Sequence, residues 1–121
     1  MSSAPRLLLV DDDASNALIL SALLEETGFD VRTAASCAEA RRSLAGERPF
    51  AVILLDEALP DGSGGALLPE IRAVDPGARV ILYTGQDDLL HRPHSFDAVA
   101  LKGEPFDQLL RAVCPEGAQC Q

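Results

Sequence analysis

At 121 residues the chain has the size of one ordinary domain, because splitting it would leave each half too small to bury an adequate core. A composition of 47% hydrophobic and 24% charged residues is that of a globular protein, and no apolar run approaches the roughly 20 residues that cross a bilayer. A formal charge of −9 argues against direct nucleic-acid binding, and Cys37, Cys114 and Cys120 lack the spacing of a disulfide frame or zinc knuckle.

The first residues, Met1 to Arg6, are short and polar, and the apolar stretch behind them stops after four residues, too soon for a signal peptide. A reducing cytoplasm is the expected location. That stretch, Leu7-Leu8-Leu9-Val10, is one of four continuous apolar runs, with Ala51 to Leu55, Val80 to Tyr83 and Ala98 to Leu101. Continuity rather than alternation predicts strands covered on both faces. A weaker strand is expected from Asp30 to Thr33.

Helical segments separate these runs. Ala14 to Thr27 repeats Ile19 with Leu23 and Leu20 with Leu24, and Gly28 provides a stop. Ser36 and Glu39 have capping-box spacing and open a helix expected to reach Ala45, before Gly46. Leu67, Leu68, Ile71 and Val74 predict a third helix ending before Pro76. Pro105, suited to the first helical position, opens a last one to Val113, with Leu109, Leu110 and Val113 on its inner face. The segment Gln86 to Asp97 is broken by Pro93, so a helix there is expected to be short or missing. Alternation of strand and helix predicts a parallel sheet with helices on both faces, and in such sheets ligands sit at the carboxyl ends of the strands.

At those ends stand Asp11, Asp12 and Asp13 after the first run, Asp56 after the third, Thr84 after the fourth and Lys102 after the fifth. Taken singly, each has a bland explanation: an aspartate after a strand is by default a helix cap, and Asp13 is read as one. Taken together, carboxylates gathered within about 5 Å repel by several kcal/mol per pair, which calls for a cation among them. Hard oxygen ligands suit Mg2+, whereas zinc would want His or Cys, and His91 and His94 stand apart from any matching Cys. Lys102 offers a point charge and Thr84 a hydroxyl donor, the kind of help that a phosphoryl group moving onto a carboxylate needs.

Leu7-Leu8-Leu9-Val10-Asp11-Asp12, the segment Leu54-Leu55-Asp56-Glu57-Ala58-Leu59-Pro60-Asp61-Gly62-Ser63-Gly64, Tyr83-Thr84-Gly85 and Leu101-Lys102 resemble the landmarks of response-regulator receiver domains. Order and intervals agree as well, only the stretch from Thr84 to Lys102 being shorter than usual. The resemblance spans about residues 6 to 113 and implies one doubly wound α/β receiver domain over 1–121, a five-stranded parallel sheet in the order 2-1-3-4-5. It implies Asp56 as phosphoacceptor. Asp12 would bind Mg2+ directly, Asp11 would help mainly through water, and the backbone carbonyl of Ala58 would be a further ligand. Lys102 would pair with a phosphoryl oxygen, and Thr84 would turn inward to bond another. The implied donor is a phosphohistidine on a sensor histidine kinase or histidine phosphotransfer protein, docking near exposed apolar positions such as Leu18, with an unidentified downstream protein receiving the signal.

Three departures from that pattern matter. Gly103 stands where a proline usually follows the lysine, so a cis bond is not expected there. Val99 replaces the usual aromatic switch residue. Ala58 and Gln86 flank the path of an attacking water and leave the dephosphorylation rate open. The rival reading is an interaction module of the same fold that works without phosphorylation. An enzyme with external turnover is disfavoured, because neither a dinucleotide fingerprint nor a P-loop follows the first strand, and Ala58 replaces the second acid an aspartyl phosphatase would need.

Overall fold

The computed structural model describes residues 4–85 and 95–113. In chain order the elements are β1 (Arg6–Val10), α1 (Ala14–Glu26), β2 (Asp30–Ala34), α2 (Cys37–Glu47), β3 (Val52–Asp56), β4 (Ala58–Leu59), β5 (Gly62–Ser63), α3 (Gly64–Val74), β6 (Arg79–Thr84), β7 (Ala98–Leu101) and α4 (Phe106–Val113). The expected short or missing helix after Thr84 falls largely on 86–94, outside the described residues, as do His91, His94 and Gln86.

Every pair in the main sheet is parallel, and the order is β2-β1-β3-β6-β7, which is 2-1-3-4-5 once the two-stranded β4–β5 ribbon is set aside. The apolar runs are continuous because both faces of the sheet are covered. Leu8, Val10, Ile53, Leu55, Val80 and Leu82 pack with residues of α2 and α3 such as Leu44, Leu67 and Ile71. Their neighbours in sequence, Leu7, Leu9, Val52, Leu54, Ile81 and Tyr83, pack with Leu20 and Leu24 of α1 and Leu109 and Val113 of α4. Period-two alternation thus sends successive side chains into two cores, and each fully buried leucine contributes about 1.5–3 kcal/mol.

Helix boundaries follow local hydrogen bonding. Asp13 caps α1, its Oδ1 accepting from the Asn16 N–H at 3.1 Å, as expected. Of the two i,i+4 pairs read in α1, Leu20 and Leu24 are buried, whereas Ile19 is 60% exposed and Leu23 is half-buried. Ser36 Oγ accepts from the Glu39 N–H, and Glu39 reaches back to the Ala35 N–H at 2.9 Å, so the capping box forms with its return bond one residue earlier than the motif requires. α2 runs through Gly46 to Glu47, two residues past the expected end. Arg6 Nη1 donates to the Glu47 carbonyl at 2.6 Å, giving the added turn a partner. α3 starts at Gly64 with Ser63 as its cap, and Pro105 lies just ahead of α4 rather than inside it. Leu110 is only half-buried.

The β4–β5 ribbon was not legible from apolar pattern, since its strands have two residues each. It folds the segment after Asp56 back so that Asp61 meets α2. There Asp61 accepts from the Cys37 N–H at 2.7 Å and the Ala38 N–H at 3.0 Å. These two backbone donors hold the Asp61 carboxyl below its ordinary value. A loop carboxylate therefore caps a helix more than twenty residues away in sequence and fixes the ribbon beside the strand ends.

Candidate functional site

β1 lies between β2 and β3, so the chain reverses its direction of travel across the sheet at β1, and a crevice opens above the carboxyl ends of β1 and β3. Asp11 follows β1 with its N–H bonded to the Ala34 carbonyl of β2, while Asp56 is the last residue of β3, in register with Tyr83 of β6. Thr84 ends β6. The Lys102 N–H bonds to the Thr84 carbonyl at 2.8 Å, which places β7's outgoing chain beside it.

Four of the expected side chains converge. Asp11, Asp12 and Asp56 each present a carboxylate oxygen such that the three lie within 4.8 Å of one another. Asp11 and Asp56 are buried and Asp12 is exposed. At that separation each pair repels by about 3 kcal/mol at an effective dielectric near 20. Lys102 Nζ reaches Asp56 Oδ1 at 2.9 Å. Thr84 is buried at the same edge, but its Oγ1 donates to Glu57 Oε1 at 2.7 Å. Ala58 stands two residues past Asp56 in β4, its N–H in long contact with Asp56 Oδ1 at 3.5 Å.

The electrostatics report a shortage of positive charge. Burial pushes the Asp56 carboxyl up; the bond from Lys102 pulls it back, and the Asp11 charge raises it again, leaving it above its ordinary value. Burial alone would lower Lys102, yet its bond to Asp56 and the charges of Asp56 and Asp11 hold the ammonium above its usual value. Among the described residues, one lysine faces three acids. The donors there are hard carboxylate oxygens with no thiol or imidazole among the described residues, a set that fits Mg2+ better than zinc.

Several contributors carried no sequence signal. Asn16 Nδ2 donates to Asp11 Oδ2 at 2.6 Å, and the Asp13 N–H donates to Asp11 Oδ1 at 3.0 Å, so the first turn of α1 orients this acid. Asn16 was discoverable only as the residue three past a capping aspartate. Gly64 is required by close packing: a Cβ there would lie inside van der Waals contact of the Asp56 carbonyl oxygen and 3.1 Å from Leu55 Cβ. Glu57 and its bond to Thr84 follow from tertiary pairing of β3 with β6. Tyr83 lies under Lys102, whose Nζ is 5.7 Å from the ring centroid.

The departures have structural counterparts. Gly103 sits at φ 92, a conformation closed to proline, and the bond before it is not cis. The loop after Lys102 therefore turns by a different route from the one a proline would impose. Val99 is half-buried against the α2–α3 core together with Phe96. Beside the carboxylates a cleft of about 440 Å³ runs along α1, lined by Asp11, Asp12, Leu18, Ser21 and residues of β2. Leu18 is 73% exposed at its rim.

Comparison with known proteins places this geometry in context. Residues 7–102 match the family model of the response regulator receiver domain. The chain is similar to the crystal structure of a CheY-like response regulator receiver domain protein from Methanospirillum hungatei JF-1, with 30% identity, a TM-score of 0.81, and coverage of 92% of this chain and 91% of that one. It is also similar to response regulator protein TrrA from Thermotoga maritima, whose crystal structure is in complex with Mg(2+)-BeF, with 29% identity, a TM-score of 0.80, and coverage of 90% and 96%. Among curated relatives, the C4-dicarboxylate transport transcriptional regulatory protein DctD of Rhizobium meliloti (strain 1021) is 38% identical over 90 residues, 74% of this chain and 19% of DctD. The chain thus spans only a fifth of that relative's length.

Proposed function

Because the chain belongs to the response regulator receiver domain family, we propose that it accepts a phosphoryl group on Asp56 from a phosphohistidine of a sensor histidine kinase or histidine phosphotransfer protein. The observation that carries this reading is the convergence of three carboxylates within 4.8 Å on one lysine at the switch point of the sheet. An Asp56 oxygen attacks phosphorus as the P–N bond breaks; the bonding pair returns to the imidazole nitrogen, which takes up a proton. Asp12 and Asp56 would hold Mg2+, with Asp11 acting mainly through water and the Ala58 carbonyl as a further ligand. When bound, the ion supplies the charge that offsets the phosphoryl oxygens.

The side chains of this protein do the rest. Lys102, already 2.9 Å from Asp56, turns its charge to a phosphoryl oxygen, and Thr84 rotates to donate to another. Asn16 and the Asp13 N–H keep Asp11 aimed while this happens. The added charge of about −1.5 to −2 biases the β6 and β7 ends between two positions, which a downstream protein reads. Leu18 and the cleft beside it offer the donor an apolar contact next to Asp12. No described helix is long and apolar enough to cross a membrane, and a cytoplasmic location suits a partner of this kind. The charge of −9 sets these residues against direct contact with nucleic acid, so any transcriptional role, as named for DctD, would lie in other parts of a longer protein. Turnover of an external substrate is not part of this reading.

Incubation with acetyl phosphate and Mg2+, followed by intact-mass measurement, tests it. One added phosphate is expected on the wild-type chain, its addition prevented when the metal is chelated beforehand and in Asp56→Asn. A folded wild-type chain that gains no phosphate would favour the phosphorylation-independent module instead.

A further inference from the structure

We propose that Glu57 is a competing acceptor that holds the Thr84 hydroxyl in the resting form and so raises the threshold for switching; the proposal rests on the phosphoacceptor reading above. A threonine hydroxyl has one proton. While it is donated to Glu57 Oε1 at 2.7 Å, it is not available to an oxygen on Asp56. The acceptor is a carboxylate and Thr84 is only 1% exposed, conditions under which such a bond is about twice as strong as a neutral one.

Both mounts are bonded to neighbouring backbone. The Glu57 carbonyl accepts from the Gly64 N–H at 3.0 Å, tying its backbone to the start of α3, and the Thr84 carbonyl accepts from the Lys102 N–H. What can change is the rotation of the Thr84 side chain. Glu57 is also distinct from the metal cage: among the described residues, the carboxylates that converge within 4.8 Å are Asp11, Asp12 and Asp56. Its acid faces the switch residue, and phosphoryl transfer must therefore displace a bond already made, not simply capture a waiting donor. Any ligand at Asp56 that needs Thr84 has its affinity scaled down by the fraction of molecules in which the latch is open.

The probe is beryllofluoride, standing in for the phosphoryl group, titrated at saturating Mg2+ into the wild type, Glu57→Ala, Thr84→Ala and the double variant. Glu57→Ala is expected to bind about tenfold tighter than the wild type, the scale of one charge-assisted hydrogen bond. In the Thr84→Ala background the same change should alter affinity less than about twofold. Glu57→Gln, whose amide oxygen still accepts without charge, should fall between wild type and Glu57→Ala. Equal tightening in both backgrounds would mean that Glu57 acts by its field alone and would overturn the latch, as would no tightening at all. NMR couplings that report the Thr84 rotamer in the unliganded chain give a second reading: Glu57→Ala should change them, and unchanged couplings would also overturn it. Should the wild type neither bind beryllofluoride nor gain phosphate, the phosphoacceptor reading fails, while the rotamer comparison still decides whether Glu57 holds Thr84.

Discussion

The two halves of the site are built differently. The acidic half stands on β1 and β3, interior strands whose apolar residues are almost wholly buried, and its parts are pinned from several directions. Asp11 receives two donors from α1, Gly64 packs against the Asp56 backbone, and Asp61 ties the following ribbon to α2. The other half stands on the end of β6 and on β7, an edge strand with three of its four residues half-buried. Its two candidate side chains reach across to acids of β3 or the residue after it, Lys102 to Asp56 and Thr84 to Glu57. On the proposed reading a metal cage would need fixed ligands and a reporter of charge would need two accessible positions, and the difference between the middle of the sheet and its edge suits that division.

Gly64→Ala should break the fixed half most severely. The new Cβ would meet a backbone carbonyl and Leu55 Cβ, neither of which is a flexible side-chain end, so the start of α3 or the end of β3 must shift. Overpacking of this sort costs about 1–3 kcal/mol and should lower the melting temperature by roughly 10 °C. Gly46→Ala is the matched control, because nothing lies within 4 Å of its added Cβ in the exposed last turn of α2. There stability should rise by up to about 1 kcal/mol, and the melting temperature with it. Thermal melts with and without Mg2+ check both, and equal effects at the two glycines would show that the acidic half is not specially tight.

Much of this division is legible in the amino-acid sequence alone. Leu7 to Val10 and Ala51 to Leu55 read as doubly covered strands because burial on both faces forces continuous apolar sequence. The residues at the strand ends stood out because topology brings all carboxyl ends of a parallel sheet to one side. The β4–β5 ribbon escaped notice because two-residue strands leave no period to detect. Asn16, Glu57 and Asp61 escaped for another reason: polar residues in exposed-looking positions have partners chosen by tertiary structure, and nothing in Glu57's neighbours names Thr84. Ile19 repeats with Leu23 at helical spacing, yet it faces outward, because spacing identifies a stripe but not its width.

Asp97→Asn sharpens the comparison from the edge side, with a smaller effect. Asp97 precedes β7, and its Oδ2 accepts from the Val80 N–H at 2.8 Å and from Arg72 Nη1 at 3.2 Å, so it anchors the edge strand to β6 and α3. Burial pushes its carboxyl up, but the Val80 donor and the Arg72 charge outweigh that and hold it below the ordinary 3.8. The unfolded chain therefore binds more protons just below pH 4, and stability rises with pH through that window. The contribution is complete at neutral pH and is lost as pH falls through the depressed folded value. Asp97→Asn should cost about 1 kcal/mol at pH 7, after allowance for the partial exposure of the pair. The gap between variant and wild type should close under acid. A gap that persists undiminished at about pH 2 would mean that the carboxylate's charge is not what anchors β7.

The smallest effect is expected where a contact looks strong but belongs to neither half. Arg41 of α2 grips Glu70 of α3 through two bonds, Nε to Oε1 at 2.8 Å and Nη2 to Oε2 at 3.0 Å. Geometry of that kind holds the Glu70 carboxyl below its usual value and the Arg41 guanidinium above its own. Yet the side chains are 50% and 45% exposed, water competes for every donor, and two long chains lose rotamer freedom to keep the pairing. Arg41→Ala should therefore move the melting temperature by no more than about 2 °C, and the difference should vanish in about 1 M salt, where the screening length falls to about 3 Å. A loss as large as that of Asp97→Asn would show that the helix layer, and not the buried strand ends, supplies the rigidity of the acidic half.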